Sequence, residues 1–395
     1  MTQTYVSSPP ARSAATGVGS WLPPVVALLV SAGAVVLGLA AGRSPGDSAL
    51  TRTDGPMAAS LLPPVWLATL VTLTGAAGLV GVLVSLATPA RRARWALTAV
   101  FVATVAVLGF GLGSISSIAL AGYLVTMAMP VVLVVLVVQA VRRYRRVRWV
   151  ALGSAAAFVV WALLSASLRP ESLQQLGAGL VTGFATGAPR LLVAVLSTAA
   201  TASFGLLLLV EVRGTDAWTR AGASIARHRM VWTLVAACCA LPYGLVRMTW
   251  FTPWPVLGQS EDLSDEMRLW GLLLGSGAIL GFVLTLGLVR PWGEPFPRWM
   301  PRLAGRPVPV PAAAVPGGIV AAVLLTSALP MLHDLSLTDA GIGLGVDSVV
   351  ERVAMALVFP LWLWGPMLGL AVWGYVGHRR RDPGTHTGVR PTLTG

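Results

Sequence analysis

A chain of 395 residues is long enough for two or three soluble domains, yet 55% of it is hydrophobic, only 11% is charged and its mean hydropathy is +0.77. Soluble domains carry about 25% charged residues, so water-soluble architectures are excluded. Repeated uncharged stretches of about 20 residues predict an all-α, polytopic transmembrane helix bundle. The net charge of +13 includes 28 basic residues, every one of them Arg.

Residues 1–20 are polar and predict a cytoplasmic tail; the apolar run after them has no small-residue cleavage site and is expected to remain as the first span. Ten spans are predicted, near 21–41, 61–87, 95–112, 118–141, 149–168, 190–211, 230–250, 269–289, 312–332 and 353–376. They form a single transmembrane domain over 21–376, followed by a basic cytoplasmic tail at 377–395. The third and fourth spans need separating, because the chain carries no charge from Trp95 to Val141. As one helix that stretch would run about 70 Å, over twice a hydrocarbon core of about 30 Å. The break is placed within residues 109–117, where glycines and short hydroxyl side chains suit a turn. Residues 170–189, with Glu171, Gln174, Gln175 and four glycines, predict a short external or re-entrant helix starting at Pro170 rather than a further span.

Arg distribution tests that count, since basic residues accumulate in cytoplasmic connectors. Alternate segments gather Arg91, Arg92 and Arg94, then five Arg between 142 and 148, four between 213 and 229, four between 290 and 306, and four between 379 and 390. With Arg12, one face holds 21 Arg and four acids, a sum of +17, and the other holds seven Arg and eleven acids, a sum of −4. Both termini are therefore expected to be cytoplasmic, in a multi-pass plasma-membrane protein whose basic loops meet anionic lipid head groups. These short loops need no nucleic-acid partner to explain them.

Within the spans, small residues four apart predict helix contacts: Gly271 with Gly275 and Gly277 with Gly281 in the eighth, Thr74 with Gly78 and Gly81 with Ser85 in the second. Ser197 and Thr201 lie one turn apart and read as interhelical or backbone hydrogen bonding, or as part of a polar path. Pro130, Pro242 and Pro360 should kink their spans. Ionisable groups avoid the span centres, His228, His333, His378 and His386 included, which weighs against a carboxylate or histidine proton relay.

Arg247 is the exception, in the outer part of the seventh span. Tyr243, Trp250 and Phe251 stand at i−4, i+3 and i+4, so ring faces can flank its guanidinium and hold it for an anionic group. Arg247, Tyr243 and Trp250 thus make a speculative outer-vestibule anion site. The structural alternative is snorkelling, or an ion pair with Asp265, Asp334 or Glu351.

Other features read as ordinary. Ser264 is placed to cap the eighth span, with Asp265 and Glu266 in its first turn, so the acidic run 261–266 is not taken as a metal site. Adjacent Cys238 and Cys239 build neither a disulfide framework nor a zinc site. No catalytic, cofactor or metal residue is assigned. Proline-rich residues 291–301 are expected to lie on the interface, anchored by their aromatics and Arg298. Residues 288–299, continuing through 303–309, resemble a loop of multi-pass actinobacterial membrane proteins of unknown function, and Leu241-Pro242-Tyr243-Gly244 with Arg247 and Trp250 resembles their preceding span. The resemblance covers chiefly residues 230–376 and implies no activity.

For function, ten spans without a soluble catalytic domain suggest by analogy a permease-like protein binding or moving a small solute or lipid-like substrate. The alternatives are a non-transporting assembly or regulatory component, and a membrane enzyme acting on a lipid-linked substrate.

Overall fold

Apolar segments in lipid must satisfy every backbone N–H and C=O internally, and a helix does so within one segment. The computed structural model describes residues 21–44, 48–50, 55–87, 94–143, 148–164, 169–213, 215–252, 254–257, 263–296, 304–336 and 348–381. Among these the only β-pairing is an isolated bridge between Pro295 and Pro307. The helices are α1 (Leu22–Arg43), α2 (Ala58–Leu61), α3 (Pro64–Ala87), α4 (Arg94–Thr104, continued by a π-helical turn over Val105–Gly111), α5 (Ser116–Arg143), α6 (Arg148–Leu164), α7 (Pro170–Glu211), α8 (Asp216–Arg227), α9 (Arg229–Thr249), α10 (Asp265–Leu286), α11 (Val310–Ser336), α12 (Val349–Val358) and α13 (Leu361–Arg381). Nine helical stretches among the described residues are long and apolar enough to cross a membrane. The fifth predicted span corresponds to α6, 17 residues long and about 25 Å. The protein is an all-α, multi-pass membrane bundle.

Packing divides the bundle into two groups. In the first, α1, α3, α4 and the second half of α7 enclose Val71, Phe101, Leu108 and Phe204, with the two phenyl rings 5.5 Å apart. In the second, α9, α11 and α13 enclose Ala236, Leu324, Met331, Leu361 and Leu368, while α10 packs closely on α9. α5 and α7 join the groups, and α6 leans mainly on α5. Lipid tails are as apolar as leucine, so close backbone approach and van der Waals fit hold such helices together rather than transfer out of water. The turn from α4 to α5 shows this: a Cβ on Gly113 would collide with the Thr326 carbonyl of α11. The expected turn is shorter than residues 109–117, because the π-helical segment carries the helix on to Gly111.

Residues 170–189 correct the sequence expectation. They form neither a separate external nor a re-entrant helix but the first half of α7, a single helix of 42 residues, about 63 Å long. Pro189 lies inside it, and Gln174 and Gln175 sit on its exposed side, so neither interrupts the helix. The extension continues into the predicted sixth span as one helix.

Three other elements depart from the expected pattern. A basic connector after the sixth span contains α8, a strongly amphipathic helix capped by Thr215, which buries Ile225 and stacks Trp218 on Trp373 at 4.3 Å. The last span is two helices, since Pro360 lacks an N–H and drives Phe359 out of the helical region, to φ −123° and ψ 69°. Ser348 and Glu351 form a reciprocal capping box that starts α12. Finally, the described part of the proline-rich segment is tied down rather than only interfacial: Phe296 N–H donates to the Arg306 carbonyl at 2.8 Å, and Arg379 donates to Val308 O at 2.8 Å.

Helix ends sort into two faces. On one, Arg94 donates to the Glu211 carbonyl and His378 stands 3.8 Å from Glu294. On the other, Met57 N–H donates to Gly113 O at 3.0 Å, and the Ser60 hydroxyl lies 2.9 Å from His333 Nε2. Residues 377–381 of the predicted C-terminal tail are instead the end of α13, while 1–20, 382–395, Glu261 and Asp262 lie outside the described residues.

Candidate functional site

The helical repeat sets Tyr243 and Arg247 on one side of α9, with Trp250 at its C-terminal cap. The Arg247 guanidinium carbon lies 3.9 Å from the Trp250 ring centroid and 5.3 Å from that of Tyr243. Trp250 is 6% exposed and its indole N–H donates to the Val256 carbonyl at 3.1 Å, which fixes the ring. Phe251 is buried and packs with Leu269. Among the described residues no carboxylate pairs with Arg247, neither Asp265, Asp334 nor Glu351, and no acceptor takes its N–H groups. Ring contacts use the faces of a guanidinium; its edges, five N–H donors in a planar fork, suit a carboxylate or phosphate.

Arg268 serves a different purpose, and sequence reasoning missed it. From the first turn of α10 it donates to the carbonyls of Trp250 at 3.1 Å, Thr252 at 3.2 Å and Leu263 at 3.3 Å, clamping the chain that leaves α9. Ser264 caps the same helix, accepting from Met267 N–H at 3.2 Å.

Close packing of α10 supports the site from behind. Cβ atoms at Gly271 and Gly275 would lie 3.0 Å from the carbonyls of Arg247 and Gly244, so both glycines let the backbones meet. Gly277 faces Val125 of α5 instead. Gly281 is no packing position: a Cβ there meets nothing within 4 Å, because it points away from both neighbours.

Tyr243 links this outer site to the interior. Its ring stacks on Phe359 at 4.5 Å and 24°, and Phe359 stands in the break between α12 and α13. On that break opens a cavity of about 60 Å³, bounded by Met355, Phe359 and Leu361. Ile115 and Ile118, at the buried turn into α5, and Ser327 and Met331 of α11 complete it. Two interruptions of regular helix therefore meet at one void. Its size is well below the roughly 150 Å³ that holds benzene.

The remaining interior is uncharged. Apart from Tyr375 near the end of α13 and the Trp250 indole, the buried hydrogen-bonding side chains among the described residues are Ser and Thr. Ser197 donates to Ala194 O at 3.0 Å, whereas the buried Thr201 hydroxyl has no partner and lies against Gly109 of the π-helical turn. No cluster of three or more His, Cys, Asp or Glu among the described residues could hold a metal ion. Cys239 is buried and Cys238 exposed on the same helix. Of the prolines expected to kink spans, Pro130 and Pro242 stay within continuous helices and only Pro360 marks a break.

The chain matches no protein-family model, no curated protein and no solved structure.

Proposed function

We propose that this chain is a permease-like protein of the plasma membrane, with both termini cytoplasmic, that binds and moves a small solute or lipid-like substrate bearing an anionic group. One observation carries the reading: the turn into α5 and the break before α13 both interrupt helices inside the bundle and face the same cavity, next to an aromatic-flanked Arg247. Irregular backbone at membrane depth is tolerated where protein or a cavity surrounds it, and discontinuous helices are how many transporters build substrate sites. The Arg-rich face supports the cytoplasmic assignment through the positive-inside rule. The small, mostly apolar void favours a substrate with an apolar part over a fully hydrated ion.

Reconstituted vesicles offered a panel of organic anions test this. Arg247→Gln should lower uptake of the transported anion at least tenfold, about 1.4 kcal/mol, at unchanged protein abundance. Equal loss of folded protein would assign Arg247 to architecture instead.

A second reading, a non-transporting assembly component, draws on α6, which leans mainly on α5 and leaves Trp149, Val150, Val159 and Val160 exposed. It predicts a membrane partner that copurifies with the parent chain and is lost when that α6 face is changed.

A further inference from the structure

We infer that Phe359 is the gate between the Arg247 site and the interior cavity, and that the substrate is a small amphipathic anion whose charged group rests on Arg247 while its apolar end enters the cavity. This rests on the permease reading and gives it a substrate class. Phe359 belongs to both compartments: its ring stacks on Tyr243, itself 5.3 Å from the Arg247 guanidinium, and it also lines the void with Met355 and Leu361. The ring makes one aromatic stack, worth about 1 kcal/mol, and packs on the edge of the second group's core, on a residue whose backbone is already outside the helix and only half buried. A rotamer change there needs no helix to unwind. It would add the volume of a phenyl ring to about 60 Å³ and join the cavity to the outer site. Met331 and Met355 supply a soft, adaptable lining, and Ser327 borders the void with its hydroxyl turned to Ser114 O at 3.3 Å, which leaves the exposed wall apolar and suited to the apolar end of the substrate.

Cysteine accessibility tests the gate without any substrate, so its failure is separate from a failure to see flux. With Cys238 and Cys239 replaced by Ala, Ser327→Cys is exposed to a membrane-impermeant methanethiosulfonate added from the outer face. The reporter should label slowly with Phe359 present and at least tenfold faster in Phe359→Ala, and Tyr243→Ala, which removes the stacking partner, should also raise the rate. Phe359→Val serves as the opened variant if the alanine chain does not fold. Ser197→Cys, buried in the other helix group, should stay unlabelled throughout. An unchanged Ser327→Cys rate in a folded Phe359 variant overturns the gate. So does a matching rise at Ser197→Cys, which would mean general loosening.

Discussion

The two helix groups solve the same packing problem with different tolerances. The first fits aromatic rings into glycine notches: Phe101 and Phe204 are fully buried, and Gly78 and Gly81 receive Phe204, Val100 and Phe101. The second keeps a half-buried Phe359 at a helix break, a void on one side of it and, beyond the Tyr243 ring on the other, Arg247. Tight interdigitation makes a region bistable or rigid rather than deformable. The contrast assigns scaffold to the first group and moving parts to the second.

The largest test of that contrast is a pair of truncations. Phe101→Ala should destabilise the folded protein by about 3 kcal/mol, since it opens a cavity in a closed core, whereas Phe359→Ala, half-buried beside an existing void, should cost clearly less. Unfolding of the reconstituted protein by steric trapping reads both; equal costs would erase the distinction. A smaller effect comes from the glycine face of α10. Gly275→Leu should cost about 2 kcal/mol by overpacking against α9 and should shift Trp250 fluorescence as Arg247 moves, while Gly281→Leu, on an open face, should change neither. The smallest is Ser348→Ala, which removes the α12 cap and should cost about 1 kcal/mol. Its loss should fray α12 in hydrogen exchange and leave the first group's protection intact.

Much of this was legible in the sequence because membrane spans write themselves as long apolar runs and Arg marks alternate ends. The Arg247 rings were legible for the same reason: i−4 and i+3 spacing on a helix fixes who can touch whom. Other elements carried weaker marks. α7 read as two pieces, because Pro189 and a glutamine pair look like an interruption when the chain alone is inspected. In a helix packed against α5, α10 and α11, a missing N–H is tolerated. Trp218, Ala221 and Ile225 do recur at helical spacing in α8, but basic neighbours made the segment read as a connector. The Ser348-x-x-Glu351 signature was present and passed over. Contacts between distant residues, such as Tyr243 with Phe359 or Ser60 with His333, left no local pattern to find.

At about 63 Å, α7 is a diagonal strut. Its first half meets α5 and α10, where Tyr123 lies 5.3 Å from Phe184, and its second half is built into the first helix group. A brace fastened at both ends resists rocking of one half of the molecule against the other. Whatever motion the protein makes is then pushed toward the short hinge before α13, which the Trp362 indole spans with one long hydrogen bond to the Ala356 carbonyl at 3.4 Å.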